Sequence, residues 1–201
     1  IIDRFLSTTS VDRKELQLVG ISAMFIACKY EEIYAPEVND FVSISENAYA
    51  RELVLSMEKT ILGKLDWYLT VPTPYVFLAR YSKVSDSSDP DMENMVFFLA
   101  ELGLMQYHMI VQFCPSMFAA SAVYAARCTL GKKPFWTNTL KHYTGYSKNQ
   151  LIECARRLVS FHSAAPDSKL KGVYRKFSSI DHGAVALHSP ANSFLSLTQD
   201  E

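Results

Sequence analysis

Between positions 16 and 28 no residue is charged, and the apolar side chains of Gly20-Ile21-Ser22-Ala23-Met24-Phe25-Ile26-Ala27-Cys28 point in every direction around a helix. That pattern predicts a helix enclosed on all sides, ending in Lys29 and the carboxylates Glu31 and Glu32. Residues 115–130 repeat it, opened by Pro115 and closed by Gly131 as a left-handed cap. Residues 49–66 are amphipathic instead, with Leu53, Met57 and Ile61 four apart and Val54, Leu62 and Leu65 beside them. Residues 147–163 do the same through Leu151, Cys154, Leu158 and Phe161. A long apolar helix is expected over 92–112, and shorter ones over 36–42, 75–83, 137–143 and 170–177. Residues 1–7 read as the end of a helix, and Ser10 or Asp12 can cap the next one. No stretch alternates with period two, so the fold class is all-α. Val71-Pro72-Thr73-Pro74 breaks the chain and predicts a linker. The Ser-rich residues 179–201 carry little pattern and are expected to be extended or disordered. The expected domains are therefore 1–70 and 71–178, followed by that tail.

The two halves repeat each other. A shift of 99 lays Ser22-Ala23-Met24-Phe25-Ile26-Ala27 on Ser121-Ala122-Val123-Tyr124-Ala125-Ala126. A shift of 97 lays Tyr49 on Tyr146 and carries Val54, Leu55, Met57, Ile61 and Leu62 onto Leu151, Ile152, Cys154, Leu158 and Val159. Each half then reads as a bundle of about five helices around one buried helix. Under these shifts Lys29 falls on Cys128 and Glu58 on Ala155. Charges that only one copy carries are not demanded by the shared fold, which moves Lys29 and Glu58 toward function.

Composition narrows the chemistry. The 201 residues are 49% hydrophobic and 20% charged with net charge −1, so no basic field recruits nucleic acid. Residues 102–126 hold only His108 among titratable groups, apart from Cys114 and the tyrosines. Gln106, Gln112, Pro115 and Ser116 there argue for two buried helices rather than a membrane span. Cys28, Cys114, Cys128 and Cys154 lie far apart in apolar runs and read as small buried hydrophobes. Five histidines show no metal-ligand spacing, and no nucleophile elbow or Gly-rich phosphate loop occurs. Glu31 and Glu32 diverge by about 100° on a helix and cannot converge on a substrate. Lys169, Lys171, Arg175 and Lys176 form a basic group read as a solvated face, against a phosphate contact. Thr73-Pro74 and Ser189-Pro190 are minimal proline-directed phosphorylation pairs. The reading is a non-enzyme with no cofactor and no metal, built to bind through helix faces.

Ile2-Asp3-Arg4-Phe5-Leu6, Leu16-Gln17-Leu18-Val19-Gly20, Lys29-Tyr30-Glu31-Glu32-Ile33 with Pro36-Glu37-Val38, and Met57-Glu58 before Leu62 resemble the cyclin box. The resemblance covers residues 1–178 as tandem boxes and is nearest the mitotic B-type cyclins, with Trp67-Tyr68-Leu69-Thr70-Val71-Pro72-Thr73-Pro74 leaning toward the plant members. It implies a regulatory subunit that binds and activates a cyclin-dependent Ser/Thr protein kinase at the G2/M transition. Lys29 and Glu58 would contact the kinase around its αC helix, and Ile26, Leu62, Trp67 and Leu69 would receive an apolar side chain from it. Arg13, Leu16, Gln17 and Ile44 would form part of a groove for substrates or inhibitors with an Arg-x-Leu motif. The rest of that groove would come from a helix before Ile1, the chain being expected as an N-terminally truncated fragment. The resemblance also implies nucleus and cytoplasm, and neither a nucleic-acid nor a membrane partner. Two alternatives are a cyclin-fold transcription-initiation factor, which needs a basic face, and a helical scaffold without a kinase.

Overall fold

The computed structural model describes residues 1–86 and 89–191. It divides into two compact units, Ile1–Val71 and Pro72–Glu201. The described residues contain helices and no strand.

In the first unit α1 (Ile2–Thr8) leads through a 3-10 turn at Arg13–Glu15 into α2 (Leu16–Glu31), followed by α3 (Val38–Ile44) and α4 (Arg51–Lys64). The proposed caps at Ser10 and Asp12 are not used: Asp12 precedes the 3-10 turn without a side-chain cap bond and pairs with Lys14 at 3.7 Å. Glu37 and Asp40 instead form a reciprocal capping box at α3. The core lies on two sides of α2. Val19, Ala23 and Ile26 pack with Phe5, Ile61, Leu62 and Leu65. Leu18 and Phe25 pack with Val38, Phe41 and Val54. A third side stays open, and Met24 is 53% exposed. Helix α2 is therefore not enclosed on all sides as its pattern suggested. Its neighbours within the first unit, α4 with the shorter α1 and α3, cover two of its sides.

The second unit has α5 (Pro74–Asp86), α6 (Pro90–Leu104), α7 (Tyr107–Gln112), α8 (Pro115–Thr129), α9 (Asn138–Thr144), α10 (Lys148–Ala164) and α11 (Gly172–Phe177). Helix α8 is enclosed, every residue from Phe118 to Cys128 being buried. Helices α5, α6 and α10, of 13, 15 and 17 residues, pack around this 15-residue helix. The single helix expected over 92–112 is two. Gly103, a poor helix former, sits near the break because a Cβ there would lie 2.6 Å from Leu158 and 2.7 Å from Phe118. Gly131 is left-handed after α8, as the sequence predicted.

Residues 180–182 and 185–187 form 3-10 turns rather than an extended tail, and Val185 and Ala186 are buried in the second core. An apolar Val-Ala pair suffices for this where no periodicity announces it; residues 192–201 lie outside the described residues. His162 holds this segment. It is 1% exposed, its Nε2–H donates to the Ala186 carbonyl at 3.2 Å, and its ring meets Phe98 edge-on at 5.0 Å. Burial lowers its pKa, with the Ala186 carbonyl opposing. A lowered folded pKa means that the unfolded chain binds the proton first, so stability falls as pH drops below the ordinary histidine value of about 6.5. Denaturant unfolding at pH 7.5 and 5.5 should show this loss. The slope should be shallower in His162→Asn by up to about 1.4 kcal/mol per pH unit; an unchanged slope would exclude His162 as its source.

Two hydrogen bonds occur in both units at positions related by the sequence repeat. Buried Ser22 and Ser121 donate to the carbonyls of Val54 and Leu151, at 3.3 and 3.5 Å. The Tyr49 hydroxyl meets Gln17 at 3.4 Å, and that of Tyr146 meets Ser116 at 2.8 Å. The repeat is thus carried in side-chain geometry as well as in hydrophobic order. The cysteines depart from expectation. All four are free, but only Cys128 and Cys154 are buried; Cys114 is exposed and Cys28 half-buried.

Candidate interaction site

The packing of α2 on α4 sets Lys29, in the last turn of one, against Glu58, in the middle of the other, as an ion pair. The Glu58 side chain is 9% exposed and that of Lys29 41%. A carboxylate so enclosed requires a charged or hydrogen-bonding partner. The Lys29 ammonium also lies 4.1 Å from the centroid of the Phe25 ring, a cation–π contact with a core residue. Its stem is thus packed while its head remains open to solvent on one side. The second unit has nothing comparable at the related positions. Ala155 is fully buried and Cys128 nearly so, with burial pushing its thiol up to about 12.

Beside this pair, Ile26 and Leu62 are buried in one cluster, and Leu69 packs partly buried against it. Trp67 does not join them. It is 69% exposed and left-handed (φ 59°), following a left-handed Asp66 (φ 51°). The Trp67 N–H donates to the Leu62 carbonyl at 2.9 Å and so closes the end of α4. Left-handed backbone at an aromatic residue is strained and persists only where its surroundings enforce it. Here two helices do so: the Arg4 guanidinium donates to the Tyr68 carbonyl at 2.7 Å, and the Tyr30 hydroxyl pairs with that of Thr70 at 2.6 Å. Sequence reasoning assigned neither anchoring role. Both side chains are long and polar-tipped at the edge of apolar runs, which is the signal that was available.

Two further residues were missed as site residues. Ile33 and Tyr34, in the turn after α2, are 92% and 90% exposed. They are two adjacent large apolar residues held far into water, and their place directly before Ala35-Pro36 was legible. Arg13, Leu16 and Gln17 are exposed on the 3-10 turn and first turn of α2. Ile44, 62% exposed, ends α3. None of these four takes part in an ion pair among the described residues, and Gln17 accepts from Tyr49.

Among the described residues no group of three or more His, Cys, Asp or Glu side chains could hold a metal, and no helix is long and apolar enough to cross a membrane. The site offers a paired charge, an apolar floor and projecting aromatics, an arrangement suited to gripping another protein.

Comparison with known proteins gives the same division of the chain. The family model for the cyclin N-terminal domain matches residues 1–70, and that for the cyclin C-terminal domain matches residues 72–191. The chain is 60% identical over 193 residues to a protein of Antirrhinum majus named G2/mitotic-specific cyclin-1, covering 96% of this chain and 40% of that one. It is 59% identical over 194 residues to Cyclin-B1-4 of Arabidopsis thaliana, covering 96% of this chain and 50% of that one. To G2/mitotic-specific cyclin S13-7 of Glycine max it is 60% identical over 191 residues, 95% of this chain and 74% of that one. The chain thus spans half or less of the first two relatives and about three quarters of the third. Two domain models that together match nearly all of residues 1–191, in the order the repeat requires, place this chain in the cyclin family.

Proposed function

We propose that this chain is the part of a regulatory subunit that docks on a cyclin-dependent Ser/Thr protein kinase and activates it at the G2/M transition. The observation that carries the reading is the Lys29–Glu58 ion pair, present in one unit and replaced by Cys128 and Ala155 in the other. The relatives' names, G2/mitotic-specific cyclins among them, support the timing.

Glu58 orients the Lys29 ammonium, whose free donors hydrogen-bond backbone carbonyls at the end of the kinase αC helix. Ile26 and Leu62 form the floor, Leu69 the edge and projecting Trp67 the wall of a recess for an apolar side chain of that helix. Ile33 and Tyr34 add buried area. Binding selects the position of αC in which the kinase's own Lys–Glu pair assembles, which is the active state. The chain supplies binding free energy and performs no chemistry. The exposed Arg13, Leu16, Gln17 and Ile44 would serve as a second contact, for substrates or inhibitors with an Arg-x-Leu motif, and the complex would work in nucleus and cytoplasm.

The test is stimulation. The purified chain, added to an inactive cyclin-dependent kinase, should raise phosphorylation of a Ser/Thr-Pro peptide in a saturable manner. Failure to bind or stimulate any such kinase would overturn the reading.

A further inference from the structure

The second unit carries a surface that the kinase-docking site does not use. At the C-terminal ends of α6 and α10, a shallow recess is lined mainly by the apolar Leu102, Met105, Phe161, Ala164 and Leu170, with Gln106 and Ser168 as its polar members. Its lining residues Met105 and Leu170 are 37% and 68% exposed, and the chain next to Met105 carries further exposed apolar residues, Leu104 (40%) and, in α7, Tyr107 (62%) and Val111 (64%). A run of large exposed apolar groups over residues 104–111, beginning at the recess, is a feature of binding surfaces. The His108 ring, edge-on to Phe161 at 5.8 Å, joins α7 to the recess.

Charge narrows the occupant. Lys169 and Lys171 flank Leu170 directly and are exposed, and Arg175 is exposed one turn further along α11. Lys176 of the same helix pairs with Glu101 at 2.6 Å, fixing this basic segment to α6 within one turn of Met105. Against these four cations stand Glu101 and the exposed Asp167. The chain as a whole has net charge −1, so the basic excess is local to the rim of the apolar recess.

We infer that this face is a docking site for a short acidic–apolar peptide segment of a partner protein. The peptide sets leucine- or phenylalanine-type side chains into the recess around Leu170 and Met105 and its carboxylates against Lys169, Lys171 and Arg175. Apolar burial supplies the affinity, and the basic rim sets orientation and selects against basic segments. A solvated basic face would have no reason to adjoin exposed Leu170, Met105, Tyr107 and Val111.

The experiment uses the full chain and a fluorescein-labelled synthetic peptide with two leucines and a phenylalanine at helical spacing, flanked by glutamates. Lysine-flanked and alanine-for-leucine peptides serve as controls. Saturable binding is expected by fluorescence polarisation, weakened about tenfold or more by Leu170→Asp and by the Lys169→Glu, Lys171→Glu pair, and weakened by salt. These side chains are exposed, so melting temperatures should be unchanged, which separates lost docking from lost fold. Equal binding of the lysine-flanked peptide, or equal binding by the variants, would overturn the proposal, as would no saturable binding. Removing residues 192–201 should leave the affinity unchanged; an about tenfold gain would mean that the chain's own C-terminal residues occupy the recess, and would overturn it too. So would concentration-dependent self-association abolished by Leu170→Asp, which would make the occupant a second copy.

Discussion

Lys29→Ala and Glu58→Ala are each expected to weaken kinase binding by about 2–5 kcal/mol, the range for removing one partner of a desolvated charge contact. The two residues pair within the chain, so either substitution also leaves its partner uncompensated. Glu58 is the more enclosed, and Lys29→Ala strands its carboxylate, so some loss of fold stability accompanies the loss of binding. The reversed double variant, Lys29→Glu with Glu58→Lys, separates the two effects. It keeps an ion pair between α2 and α4, and so most of the stability, but puts a carboxylate where the proposed kinase contact calls for a donor. Calorimetric titration with the kinase should show binding lost in the singles and in the reversed pair, while thermal melting shows the reversed pair more stable than either single. Full binding by the reversed pair would mean that the ion pair is an internal strut, and the kinase contact would have to lie elsewhere, with Ile33 and Tyr34 the next residues to test.

The elements of this fold were legible because its helices are coded by two distinct patterns: amphipathic runs such as 49–66 and apolar runs such as 115–130. The amphipathic pattern placed α4 correctly but not its whole buried face: Val54, Ile61 and Leu62 are buried as expected, whereas Leu53 is 51% exposed and Glu58 is buried in its place. The all-round apolar pattern reports only that a helix has no face committed to water, which does not fix how much of it is covered. Hence α8 is enclosed from Phe118 to Cys128 while α2, with the same pattern, leaves Met24 half in solvent. The break before Tyr107 was hidden for a related reason. Near it Gly103 approaches Phe118 and Leu158, residues distant in sequence, too closely for a Cβ.

The ion pair was anticipated by comparing the chain with itself. Ser22 and Ser121 keep the same hydrogen bond in both units, as do Tyr49 and Tyr146, so these positions serve the shared architecture. Lys29 and Glu58 break the correspondence. What the comparison could not supply was Trp67. Its assignment was to a recess that receives a partner's side chain; the sequence did not show that the left-handed turn at Asp66 and Trp67 leaves it 69% exposed, apart from the buried cluster of Ile26 and Leu62. Asp66 tolerates left-handed backbone, but Trp67 gives no such signal; the segment directly after the turn is tied down by Arg4 and Tyr30, through Tyr68 and Thr70.

The same asymmetry predicts that a lysine cannot be moved to the second unit. Cys128→Lys is expected to cost about 3–5 kcal/mol of stability, the range for an uncompensated buried charge. Cys128 is 7% exposed, and its electrostatic neighbours Lys148 and Arg127 are cationic. At the position related to Glu58 stands Ala155, which offers no carboxylate. Cys128→Met, similar in length but neutral, is the control for size; overpacking alone should cost about 1–3 kcal/mol. The difference between the two in denaturant unfolding reads the charge. It should shrink as pH rises: burial lowers the folded-state pKa of the new lysine, so the unfolded state alone stays protonated until about pH 10, and the penalty disappears once both states are neutral. Equal costs for Lys and Met at neutral pH would mean that the lysine finds water or a partner there. Added to Lys29→Ala, Cys128→Lys should restore no kinase binding, because the recess of Ile26, Leu62 and Leu69 and the projecting Trp67 belong to the first unit. Restored binding would show that the second unit presents an equivalent docking face.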